Sequence, residues 1–152
     1  MSLCIPPVII NLWKQSHACY DADLTYQGSS FMKIHRINPC KRWSDVTIFN
    51  GIASFVEVAD ADTSAGMQCQ VQQILDQAEQ QLKAIDSDRS RILSVTIYVT
   101  DFANFAALNE VWDGWFPEGC APSRACVKAE LADPDLLVEM AFTAAAGAKY
   151  QS

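Results

Sequence analysis

Two stretches near the end of the chain carry residues able to do chemistry. Pro122-Ser-Arg-Ala-Cys-Val-Lys-Ala-Glu-Leu131 and Leu136-Leu-Val-Glu-Met-Ala-Phe-Thr143 set Arg124, Cys126 and Glu139 among apolar residues. An unpaired charge in apolar surroundings is expensive or changes its protonation state, so each charged group needs a partner or a purpose. A guanidinium is a planar, two-pronged donor that fits a carboxylate, and charge-assisted bonds of this kind contribute about 1.5–3 kcal/mol. A carboxylate within reach of a water can act on it as a general base, worth roughly 10²–10⁴-fold in rate. Arg124 and Cys126 stand two apart in a β-rich run, which puts both on one face of a strand. Cys126 as a covalent nucleophile needs a base, and neither histidine, His17 or His35, is near it in sequence. A packing or contact role is simpler. From residues alone, Arg124 and Glu139 read first as a structural ion pair, between strands or subunits, and second as the floor of a small-molecule site.

These side chains need elements to hold them. Lys33 to Asn38 alternates weakly and stops at Pro39, which predicts a short first strand. Asp45 to Glu57 is two β runs broken by Asn50-Gly51, a dipeptide suited to the positive φ angles of a type I′ hairpin turn. From Ala65 to Ile85, Met67, Val71, Ile74, Leu75, Ala78, Leu82 and Ile85 recur at three and four, which predicts an amphipathic helix. Its glutamine-rich side (Gln70, Gln73, Gln77, Gln80, Gln81) reads as an exposed face. Ile92 to Thr100 alternates, with Leu93, Val95, Ile97 and Val99 on one side. Asp101 then caps a second helix, Phe102 to Phe116, where the spacing of Trp112 and Trp115 makes them core residues. The order β-β-β-α-β-α-β-β predicts an α+β fold: a two-layer sandwich of a mixed, mostly antiparallel sheet with two helices on one face. The other face is assigned Thr96, Tyr98, Arg124, Cys126, Lys128 and Glu139 together with Leu137 and Ala141. Such a mixed face is expected to meet a copy of itself in an oligomer, with sites at the seams.

The chain of 152 residues is one domain's worth, and half of its residues are hydrophobic. Its net charge of −7 opposes phosphate backbones and anionic membranes, so neither nucleic acid nor membrane is an expected partner. Six cysteines without a CxxC pair point to free thiols in a reducing cytoplasm. The two histidines show no metal-ligand spacing, and no metal or cofactor is expected. Residues 1–31 read as a loosely ordered N-terminal extension, with an interaction arm through Ile9, Ile10 and Trp13 as the lesser reading. The domain is set at residues 32–152.

In this order and spacing, several stretches are similar to the Rid family, also called the YjgF family, of enamine/imine deaminases. They are Arg42-Trp-Ser-Asp-Val ahead of the hairpin, Gln70, Ile97-Tyr-Val-Thr-Asp-Phe102, Phe105-Ala-Ala-Leu-Asn-Glu-Val-Trp112, Pro122-Ser-Arg-Ala-Cys-Val127 and Val138-Glu-Met140. The resemblance covers about Met32 to Ala145. It implies a chorismate-mutase-like fold, a homotrimer with three clefts between subunits, and hydrolysis of reactive 2-enamine or 2-imino acids, such as 2-aminoacrylate, to 2-oxo acids and ammonia. By the same resemblance, Arg124 binds the substrate carboxylate, Glu139 positions or activates the water, and Cys126 and Asn109 line the cleft. No cofactor is implied, because an imine is already electrophilic. The chain departs from the pattern where family members carry Ser-Gly-Gln: an ungapped alignment from Asn50-Gly51 puts Val56-Glu57-Val58 there. Valine lacks the hydroxyl donor, and Glu57 is expected to bring negative charge toward the cleft. Trp43 is the expected aromatic cover. The altered wall motivates a second reading, a non-catalytic protein that binds or senses a small carboxylate. A third, a ribonuclease or translation inhibitor, is opposed by the acidic balance and the lack of a histidine pair.

Overall fold

Asn50 and Gly51 take φ angles of 49° and 74°, the left-handed pair that a tight hairpin turn requires. A side chain at Gly51 would be strained there and would also press on the Gln151 side chain. The structure, a computed structural model, describes residues 33–151, so the expected N-terminal extension and its arm lie outside the described residues. The hairpin joins β2 (Val46–Phe49) to β3 (Ile52–Val58), and a short β1 (His35–Ile37) lies antiparallel to β2. Beyond them come α1 (Met67–Ala84), β4 (Ile92–Val99), α2 (Phe105–Trp115), β5 (Ser123–Lys128) and β6 (Val138–Ala145). Asp101 caps a single 3-10 turn ahead of α2, its side chain accepting from the Ala103 N–H.

One six-stranded sheet has the order β1-β2-β3-β6-β4-β5, antiparallel throughout except for β4 with β5. Both helices cover one face, α1 packing on β3 and β6 and against α2. The two-layer α+β sandwich expected from the element order is the fold. Its core joins Val71, Ile74, Leu75 and Leu82 of α1 to Phe55, Ile97, Met140 and Phe142 of the sheet. Phe55 and Phe142 stack with ring centroids 5.0 Å apart.

Three expectations are corrected. Leu93 is exposed and Ile92 buried, because the β4–β6 register shifts between Ile92 and Ser94 and rotates the start of β4 by one residue. The glutamines of α1 are not simply a solvated face. Gln70 is fully buried; its amide nitrogen donates to the Thr63, Ala65 and Asp135 carbonyls, and its oxygen accepts from the Leu137 N–H. Gln73 accepts from the Ala61 and Asp62 N–H groups, Gln77 donates to the Val58 carbonyl, and Gln81 donates to Glu57. A stripe of amides at helical spacing therefore ties residues 57–65 to α1. Hydropathy periodicity scores glutamine as outward-facing and misses that its amide can satisfy buried backbone groups. Finally, Cys40, Cys120 and Cys126 are free thiols, but Cys69 is disulfide-bonded; cysteine spacing in sequence does not reveal which thiols meet in space.

Candidate functional site

Strand register decides where each candidate side chain points. On β5, Arg124 pairs with Val95 and Cys126 with Ile97, residues of β4 that face the helices. Arg124 and Cys126 are thus on the helix side of the sheet, at its edge strand. The Arg124 guanidinium lies 5.5 Å from the Phe105 ring centre and 5.2 Å from that of Trp112, and its Nη1 donates to Asn109 Oδ1 at 2.8 Å. Arg124, Cys126 and Asn109 are therefore brought together, by β5 and α2. Burial pushes the Cys126 thiol above its ordinary pKa, with the Arg124 charge pulling the other way.

Glu139 belongs elsewhere. It pairs with Val58 on β3 and Tyr98 on β4, on the face of the sheet away from the helices, while Val138 and Met140 beside it are fully buried beneath them. The expectation that Arg124, Cys126, Lys128 and Glu139 share a sheet face is thus overturned. Alternation gives each strand's two faces but not which face of one strand aligns with which face of the next.

The open face around Glu139 forms a concavity of about 900 Å³. Trp43 lines it, as does Val56, which is 54% exposed and offers methyl groups to the space. Its floor carries an in-register row of hydroxyl residues, Ser54, Thr143 and Ser94. Among the described residues it is lined by Asp45, Glu57, Asp60, Asp133 and Glu139 and by no lysine, arginine or histidine. Glu57 borders this space, but its carboxylate is turned away from it, against the expectation. Its side chain, 5% exposed, turns under α1 and accepts from Gln81 Nε2 at 2.9 Å. The strand places position 57 opposite to Val56, so charge that looked hostile to a ligand is taken up inside the fold. Among the described residues, no group of three histidine, cysteine or carboxylate side chains is placed to hold a metal ion. Sequence reasoning did not find Phe105 as a neighbour of Arg124; its spacing to Asn109 and Trp112, four and then three residues along one helix, was the available signal.

A family model described as "Endoribonuclease L-PSP" matches residues 33–146. A RutC family protein of Haemophilus ducreyi is 39% identical over 112 residues, covering 74% of this chain and 96% of its own. The chain belongs to the YjgF/Rid family. The RutC family protein YoaB of Escherichia coli is 38% identical over 117 residues, covering 75% of this chain and 99% of its own. Among solved structures, an uncharacterized protein from Pseudomonas aeruginosa matches with a TM-score of 0.73 and 41% identity, over 76% of this chain and 100% of that one. A member of the YjgF protein family from Neisseria meningitidis gives a TM-score of 0.72 at 32% identity, over 76% of this chain and 97% of that one. The YjgF/Rid fold is the chorismate-mutase-like α+β sandwich expected from the sequence. No helix among the described residues is long and apolar enough to cross a membrane.

Proposed function

We propose that this YjgF/Rid protein hydrolyses reactive 2-imino and 2-enamine acids, such as 2-aminoacrylate, to 2-oxo acids and ammonia in clefts between subunits. One observation carries the reading: within a single chain the guanidinium and Glu139 are on opposite faces of one sheet, and among the described residues the concavity at Glu139 is lined by carboxylates and no cation. A cleft that binds a carboxylate there takes its arginine from a second copy. The two surfaces that meet are then different, the helix-side edge of one chain and the open face of the next, which is a heterologous contact that closes into a ring. A homotrimer with three equivalent clefts satisfies that geometry.

In such a cleft Arg124 clamps the substrate carboxylate, and the neighbouring chain's copy of Glu139 accepts a proton from water as its oxygen bonds to the imine carbon. That glutamate returns the proton to the nitrogen, giving a carbinolamine. The carbinolamine's hydroxyl proton then passes to the nitrogen as the carbon–nitrogen bond breaks, so ammonia leaves and the 2-oxo acid remains; an enamine enters the same path once it has tautomerised to its imine. The protein needs no cofactor for this, because the imine carbon is already electrophilic. Cys126, kept protonated by burial, acts as a contact and not as a nucleophile. The ribonuclease activity named in the family model's description is a poor match to a carboxylate-lined concavity, which repels phosphodiesters.

The test generates 2-aminoacrylate in situ and follows its decay with purified protein. Wild type accelerates it, while Glu139→Gln and Arg124→Ala each lose at least about 100-fold. Acceleration that survives both substitutions overturns the residue assignment. The second reading, a non-catalytic carboxylate-binding protein, is favoured by the exposed methyl groups of Val56 where the family hydroxyl is absent. Carboxylate binding that is lost in Arg124→Ala, with no acceleration by wild type, establishes that reading instead.

A further inference from the structure

We propose that one stripe of α2, formed by Phe105, Asn109 and Trp112, is a cradle that fixes the Arg124 guanidinium before any ligand arrives. The inference rests on the reading of Arg124 as a carboxylate clamp and adds residues that act through it. The three are spaced four and three apart, so they line one helical face. Two of them place aromatic rings 5.5 and 5.2 Å from the guanidinium carbon, and the third accepts a hydrogen bond from Nη1 at 2.8 Å.

Arginine is a costly clamp when it is free to move, because holding a long side chain in one geometry sacrifices its rotamer freedom on binding. Arg124 is exposed on an edge strand and has no carboxylate partner among the described residues. Neutral groups hold it instead. Rings attract the cation without neutralising it. Asn109 takes one of the five N–H donors, leaving the Nε and Nη2 side of the fork open to a two-oxygen anion. An aspartate at position 109 would have occupied the fork and cancelled its charge. Asn109, expected to line the cleft, is by this geometry a positioning residue that works through Arg124, and Trp112 serves the core and the cradle with two parts of one side chain.

The experiment leaves the buried Trp112 untouched and compares Phe105→Leu, Phe105→Tyr, Asn109→Ala and Asn109→Asp with wild type and Arg124→Ala. Binding of 2-oxobutanoate is measured by calorimetry, thermal unfolding is the control for folding, and nitrogen relaxation of the Arg124 side chain is measured by NMR without ligand. Phe105→Leu and Asn109→Ala weaken binding about three- to five-fold and raise KM while kcat holds, and Phe105→Tyr restores both. Asn109→Asp weakens binding more than Asn109→Ala does, an order that a merely structural role for the amide would reverse. Arg124 is ordered in wild type and mobile in Phe105→Leu. The cradle is overturned if Arg124 is equally mobile in both, or if Phe105→Leu binds as wild type does while Arg124→Ala does not bind. If wild type and Arg124→Ala bind alike while Arg124 is ordered, the clamp reading fails and the cradle stands as structure without this function.

Discussion

Burial moves the protonation of Cys126, and the consequence has a definite sign. Its thiol is pushed above the ordinary value, only partly offset by Arg124, so the thiolate is scarcer at neutral pH than in a free cysteine. Alkylation of Cys126 by iodoacetamide at pH 7.5 is therefore slower than that of a cysteine in a short peptide, read by mass spectrometry of the digested protein. Because the folded state holds this proton more tightly than the unfolded one, the stability it contributes is complete below the unfolded pKa and declines as pH rises through the folded one. Cys126→Ser removes that alkaline component. At this scale much of the site was legible: residue types and two-residue spacing put Arg124 beside Cys126. What spacing could not give was their direction, because the sign of a strand's face is fixed only when its neighbour's register is known.

At the scale of elements, α1 is bound to its surroundings by a stripe of amides as well as by its apolar stripe. Gln70 supplies an amide whose donors and acceptor are all used inside the protein, joining the segment before α1 to the segment before β6. Gln70→Leu leaves buried carbonyls and an N–H without partners and lowers unfolding stability by about 3 kcal/mol in urea titrations. Gln70→Glu does more harm at neutral pH, since a carboxylate faces three carbonyls; the introduced carboxyl has a raised folded pKa, so stability falls as pH climbs above about 4.3. A second staple, Arg89, donates to the Trp115 carbonyl, pairs with Glu79 of α1 and lies 4.9 Å from the Trp115 ring centre. The hairpin, both helices and β4 were readable because turn chemistry and apolar period are local. The amide stripe was not, because Gln70, Gln73, Gln77 and Gln81 look like any solvated helix side until the loop they hold is placed.

For the whole molecule, the helix-free face of the sheet exposes Phe49, Ile52, Val56 and Val127. Apolar side chains gathered on a sheet face, around a concavity lined by no cation among the described residues, fit burial by another copy. If the protein is a ring of copies, Val127→Asp on edge strand β5 shifts it to monomers in sedimentation velocity, and imine hydrolysis falls with assembly. Retention of the oligomer in Val127→Asp would place the contact elsewhere. The sequence reading expected a mixed, oligomer-forming face and populated it with residues from both sides of the sheet. Self-complementary contact and head-to-tail contact differ by that one assignment.

The amide stripe on α1 also bears on how the cavity wall can change over time. Gln73 and Gln70 grip the segment from Ala61 to Ala65 through its main-chain N–H and carbonyl groups. Every residue but proline carries both of those groups, so the wall's path is nearly indifferent to which side chains it displays. Thr63, whose side chain borders the cavity, is free to drift, or to be randomised in a library, with little loss of fold, whereas Asp60 and Asp62 also hold the segment through their carboxylates. Variation in what the cavity accepts can accumulate there while α1 keeps the wall's shape constant.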